Sequence, residues 1–241
     1  LEEVTLSYEL PGDKKRIIES VVGLFETGKP GGGDYTTCVY LADGAGITYG
    51  KHQAIDRSGS LDAIVQRYIL LGGVYRDDLK KFQTLLEENG TVGFEPDDLP
   101  AQVTDLMHLL FITGSDPVMH QAQDEVFDEW YWNPMEVKCK ELKLELPLSW
   151  LVMYDSSIHS GPAGIDRTRN LFPQVPPSKG GTEKVWTTAY IEARREWLAT
   201  HSKTILHGTV YRQDAMLDLV AAGNWDLTTP FQVAKPRATI T

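Results

Sequence analysis

The stretch LFETGKPGGGDYTTCVYLADGAGITYGKHQ, residues 24–53, decides how the rest of the chain is read, because it sets two carboxylates, Glu26 and Asp43, on either side of a glycine-rich segment. Upstream, Ile17, Ile18, Val21, Val22 and Phe25 recur at the spacing of one buried helix face. Glu26 then falls in the last turn of that helix, half shielded from water, a setting that disfavours the charge of a carboxyl group. Residues 28–33, GKPGGG, end the helix through backbone freedom and a proline. The alternating run from Thr36 to Ala42 reads as a strand, residues 47–49 as its hairpin partner, and Asp43-Gly44-Ala45-Gly46 as the tight turn between them. Solvent at such a loop tip keeps a carboxylate ionised. A shielded proton donor and a hydrated proton acceptor are what hydrolysis of a sugar acetal needs, so the pair is a candidate glycosidase acid and base. A Glu at a helix end and an Asp-Gly turn also occur as plain surface features, and Asp34 in the intervening loop is a rival second carboxylate.

Composition narrows the alternatives. With 241 residues, 41% hydrophobic and 24% charged, the chain has the balance of a folded protein of one large domain or two small lobes. The net charge of −11, from 23 basic against 34 acidic residues, argues against nucleic-acid binding, which needs a basic surface. No apolar run approaches the roughly 20 residues that cross a bilayer, and LEEVTLSYEL lacks the basic and apolar segments of a signal peptide. The expectation is a soluble chain without membrane insertion. Cys38 and Cys139 have no CxxC neighbour and no nearby His pair, so they read as ordinary buried thiols, with no metal or organic cofactor implied.

Further along, hydrophobic periodicity predicts helices at 60–71, 76–88 and 101–112. Asp116-Pro117 opens another in cap-then-first-turn order, running towards Trp132, and Asn133-Pro134 bends or restarts it. More helices are expected at 135–143, 147–160, 183–200 and 209–222, with residues 170–181 as a surface loop. One hairpin among about eight helices makes the class α+β, mainly α. No linker divides the sequence, so residues 1–241 are expected to form a single two-lobed catalytic domain. Of the three consecutive aromatics Trp130, Tyr131 and Trp132, most should be core, because neighbours on a helix point in different directions.

The motifs Phe25-Glu26, Asp43-Gly44-Ala45-Gly46-Ile47-Thr48, Val65-Gln66-Arg67-Tyr68, Ala122-Gln123-Asp124 with Tyr131-Trp132-Asn133-Pro134, the run from Met153 to His159, Ala193-Arg194, and Gly223-Asn224-Trp225-Asp226-Leu227 occur in this order. Together they resemble the chitosanases of glycoside hydrolase family 46, in the lysozyme-like superfamily. The resemblance implies a two-lobed lysozyme-like fold with a small β-hairpin element beside the active-site cleft. It also implies Glu26 as general acid, Asp43 as general base and Thr48 as a holder of the attacking water. Inversion at the anomeric carbon, the family's outcome, needs carboxyls about 6.5–9.5 Å apart. Asp155 and Arg194 match an aspartate and an arginine of a buried charge network behind the acid. Tyr49, His52 and Gln53 follow the turn and are candidates for lining the sugar cleft, whereas His159 reads as a hydrogen-bonded core histidine.

Departures from the family pattern bear on the substrate. Ser60 stands where these chitosanases carry the aspartate that meets the cationic amine of glucosamine, and the family's arginine between the two glycines of the turn is Ala45 here. A neutral hydroxyl suits an N-acetylated sugar, and the run from Gly46 to Gln53 is similar to segments in lysozyme-like cell-wall-degrading domains. The sequence therefore favours a peptidoglycan hydrolase of muramidase type, bacteriolytic and antibacterial, with chitosan hydrolysis as the alternative and a non-catalytic carbohydrate-binding module as a second alternative. Asp56 or Asp62 could restore the missing carboxylate. The expected partner is a polysaccharide, met by a monomer that is secreted or delivered to the periplasm or cell wall, where an immunity or inhibitor protein could oppose it.

Overall fold

The computed structural model describes residues 8–41 and 43–241. Ala42, the expected end of the first strand, and residues 1–7 of the N-terminal segment lie outside the described residues. In chain order the elements are α1 (Gly12–Thr27), β1 (Cys38–Tyr40), β2 (Ile47–Tyr49), β3 (Ala54–Ile55), α2 (Ser60–Leu70), α3 (Arg76–Leu79), α4 (Gln83–Glu87), α5 (Ala101–Thr113) and α6 (Pro117–Phe127). There follow α7 (Asn133–Leu142), α8 (Pro147–Ser160), α9 (Ala163–Arg169), α10 (Glu183–Thr200), α11 (Tyr211–Ala221), β4 (Phe231–Val233) and β5 (Ala238–Ile240). The class is mainly α with small β elements, as the periodicity predicts. The chain divides into two compact units: Gly32 and the residues before it together with Tyr131–Thr241, and the intervening Gly33–Trp130.

In the first unit α8 is the core helix. Every residue from Pro147 to Ser157 is buried, and α1 packs on it with Ile17, Ile18, Val21, Val22, Leu24 and Phe25 turned inward. Gly28 ends α1 in the left-handed conformation, φ 75°, and its N–H bonds the Leu24 carbonyl, which satisfies one of the free carbonyls at the helix end. Trp132 is buried, whereas Tyr131 is half-buried. Two elements lack a sequence signal: α9 is seven residues long, and β4–β5 is a second hairpin of three-residue strands. Neither is long enough to show a period.

In the second unit β1, β2 and β3 form an antiparallel sheet with β2 in the centre. The hairpin register pairs Cys38 with Tyr49 and Tyr40 with Ile47, so residues 41–46 form its loop. Here too the two-residue β3 escapes prediction. The helix expected over 76–88 is broken by a 3₁₀ turn at Lys80–Phe82. Lys80 and Lys81 each bond an aspartate three residues back, at 2.8 and 2.6 Å, a spacing that the tighter turn eclipses. Asp116 caps α6 through Val118 N–H at 2.9 Å and also accepts from the Tyr68 hydroxyl at 2.6 Å, tying α6 to α2. Among the described residues no helix is long and apolar enough to cross a membrane.

Candidate active-site residues

Glu26 sits in the last turn of α1 with its side chain 40% exposed. Its Oε1 lies 2.7 Å from Nη1 of Arg212, a residue with no assigned role in the sequence reading. Arg212 is itself buried, and its Nε donates to Oδ1 of Asp155 at 2.8 Å. Nη2 lies 2.6 Å from the same oxygen, an ionic contact off the hydrogen-bond axis. The other carboxylate oxygen of Asp155 accepts from Gln213 at 3.1 Å. Asp155 is fully buried, and burial opposes its charge, but the guanidinium of Arg212 and then that of Arg194 outweigh it and hold the carboxyl below its ordinary value. One arginine thus links a solvated carboxylate to a buried one.

The network expected between Asp155 and Arg194 takes a different form. Arg194 is buried, but its Nη2 donates to Nδ1 of His159 and to Oγ of Ser160, each at 3.0 Å, and the direct partner of Asp155 is Arg212. The reason is one of reach: α11 presents Arg212 to α8, while Arg194 on α10 meets α8 a turn further on. His159 is the core histidine that the sequence suggests. Only its neutral ring can accept from an arginine, and burial, then the charge of Arg212, push its pKa down to about 4.

This has a consequence for stability. Between about pH 6.5 and about 4 the unfolded chain binds a proton that the folded His159 excludes, so the stabilisation is complete above the upper value and lost as pH falls towards the lower. His52, also lowered, and Asp155 act in the same direction. The melting temperature should fall across this interval, and His159→Gln, which can still accept from Arg194, should flatten the slope; equal slopes in the two proteins would refute the assignment.

In the second unit Asp43 is exposed in the β1–β2 loop, and its Oδ1 accepts from Ala45 N–H at 2.9 Å. Gly44 and Gly46 supply φ of 76° and 77°. The loop is braced from outside: the Thr91 hydroxyl accepts from Ile47 N–H at 3.2 Å and donates to the buried Asp56 at 2.6 Å. Thr48, on β2 five residues beyond Asp43, is buried, 4% exposed. Asp34, the rival, spends one carboxylate oxygen on the backbone N–H and hydroxyl of Thr36, both at 2.8 Å.

The candidates for substrate contact fare unevenly. Tyr49 is fully buried, and its hydroxyl donates to the Leu110 carbonyl at 2.9 Å, so it is core rather than cleft. His52 stacks on Phe127 at 4.3 Å and lies 2.8 Å from Asp124. Asp124 also binds Lys51 at 3.0 Å and the Tyr35 hydroxyl at 2.6 Å; burial opposes its charge, yet these partners hold its carboxyl well below the usual range. Gln53 is exposed, in the left-handed region at φ 57°. Ser60 is buried at the start of α2, its hydroxyl 2.9 Å from Ile55 N–H and 2.8 Å from Ser58 Oγ. It ties the start of α2 back to β3, and a sugar would have to displace these bonds to reach it. Asp56 is buried as well, which removes it as a substitute carboxylate.

The family model for glycosyl hydrolase family 46 matches residues 21–231. A chitosanase of Bacillus subtilis (strain 168) is 26% identical over 245 residues, covering 97% of this chain and 86% of the relative. Among solved structures, the native chitosanase of Bacillus subtilis MY002 superposes with a TM-score of 0.79 at 24% identity, covering 97% of this chain and all of that one. A Gynuella sunshinyii chitosanase of the family, solved with chitotetraose, gives 0.77 at 23% identity, covering 97% and 99%. The structures share the lysozyme-like fold, and a family match running from α1 to β4 leaves one classification: the chain belongs to glycosyl hydrolase family 46 and is a glycoside hydrolase.

Proposed function

We propose that the chain hydrolyses β-1,4 linkages within chitosan-type amino-sugar polymers by an inverting acid/base mechanism. Glu26 gives its proton to the glycosidic oxygen as the bond to the anomeric carbon breaks. Asp43 takes a proton from the water whose oxygen bonds that carbon, and Thr48 helps to hold this water. Exchange with solvent resets both groups. The observation that carries the assignment is the Glu26–Arg212–Asp155 chain, in which a solvated carboxylate is held from behind by a buried ion pair, as a group that must meet a substrate in fixed geometry requires. Similarity to chitosanases supports the choice of polymer over the muramidase activity that the sequence reading favours. Such polymers are met outside the cytoplasm, so the enzyme acts after secretion or delivery there.

A second reading, cleavage of N-acetylated cell-wall polymer, is favoured by one observation: position 60 carries no negative charge, and its hydroxyl is already engaged. Release of reducing ends from soluble chitosan and from purified peptidoglycan sacculi separates the two. Chitosan turnover with an inverted anomer as the first product, read by proton NMR, is the expected result. Turnover of sacculi alone would replace the first reading with the second, and turnover of neither would leave a binding module.

A further inference from the structure

The last carbonyls of a helix have no intrahelical partner, and in α1 they surround the residue assigned as proton donor. Leu24 is served by Gly28 N–H at 2.9 Å. The next carbonyl, that of Phe25, is served by a hydroxyl: Tyr211, the first residue of α11, donates to it at 2.8 Å. The Tyr211 ring also meets the Phe25 ring edge-on, centroids 5.9 Å apart at 76°. Arg212, the next residue, lies over that same ring at 5.3 Å and holds Glu26. The first turn of α11 therefore grips residues 25 and 26 by a carbonyl, a ring and a carboxylate. Burial, with Arg212 opposing and Glu26 adding, raises the pKa of the Tyr211 phenol, so it remains a donor at neutral pH.

We infer that Tyr211 is a positioning residue for the reaction, fixing the end of α1 through the Phe25 carbonyl and so the place from which Glu26 delivers its proton. This rests on the assignment of Glu26 as the acid. Without the hydroxyl, the carbonyl directly before Glu26 loses its donor and the helix end gains freedom. A displacement of about 1 Å in a reacting group costs up to about a hundredfold in rate, and a displacement of the proton donor lowers turnover more than binding.

The test compares Tyr211→Phe, which removes only the hydroxyl, with Lys235→Ala, which removes the ammonium lying 5.5 Å from the centre of the same ring and leaves the hydrogen bond intact. On chitosan oligomers, or on sacculi should these be the polymer cleaved, Tyr211→Phe should lower kcat about tenfold with KM within twofold, and Lys235→Ala should keep both within twofold. A wild-type kcat in Tyr211→Phe, a change confined to KM, or an equal loss in Lys235→Ala would overturn the inference. Glu26→Gln is run alongside: if it turns over at the wild-type rate, the acid assignment itself fails, whereas an inactive Glu26→Gln with an unimpaired Tyr211→Phe sinks only the role of Tyr211.

Discussion

Glu26→Gln should lower kcat by a factor on the order of 10³, within the range for loss of a general acid or base, while the melting temperature stays within about 2 °C of wild type. The amide fills the same volume and can still accept from Arg212, whose other contacts, to Asp155, are untouched. Asp43→Asn should match it in rate and be equally silent in melting, since the Asn carbonyl can accept from Ala45 N–H as the carboxylate does. Initial rates with calorimetry on the same preparations check both statements. A rate near wild type in either variant removes that residue from the chemistry.

The largest effect on stability is expected at Arg212. Truncation to Ala leaves Asp155 fully buried with Gln213 as its one direct partner among the described residues, and breaking a buried pair from one side costs about 3–5 kcal/mol. The variant should melt far below wild type, and its activity should fall further than the lost fold explains, because Glu26 loses its tether. Arg194→Ala is the comparison. Its direct contacts are to His159 and Ser160, so its cost should be the smaller of the two. Chemical denaturation of both variants decides the order, and a greater loss at Arg194 would return that residue to its expected place as the main partner of Asp155.

How far the sequence could be read depended on how local each signal was. The long helices α1, α2, α5, α8, α10 and α11 announce themselves by period, and Asp116-Pro117 announces the start of α6 by cap chemistry. The Asp43 loop is legible for the same reason: its carboxylate bonds a backbone group two residues on, an arrangement complete within the motif. Arg212 is not, since the aspartate it binds lies 57 residues back and nothing beside it in the sequence marks it as buried. Tyr49 fails in the opposite way. Its place just after the turn suggests the cleft, but side-chain direction in a strand is set by the sheet, and Tyr49 points inward to the Leu110 carbonyl. Ser60 shows a third limit: its place in the family pattern suggests contact with the sugar, whereas its hydroxyl bonds the Ile55 backbone on β3.

The unit that holds Glu26 is interrupted by Gly33–Trp130. On the ribosome α1 therefore emerges well before the helices that cover its apolar side and nearly the whole chain before α11. At about 5–20 residues per second, the stretch between Glu26 and Arg212 takes roughly ten to forty seconds to synthesise. For much of that interval, until α8 has been made, Ile18, Val21 and Val22 are without the core they finally join. Cellular yield should accordingly respond to chaperone supply and translation speed more than to any single contact in the finished protein.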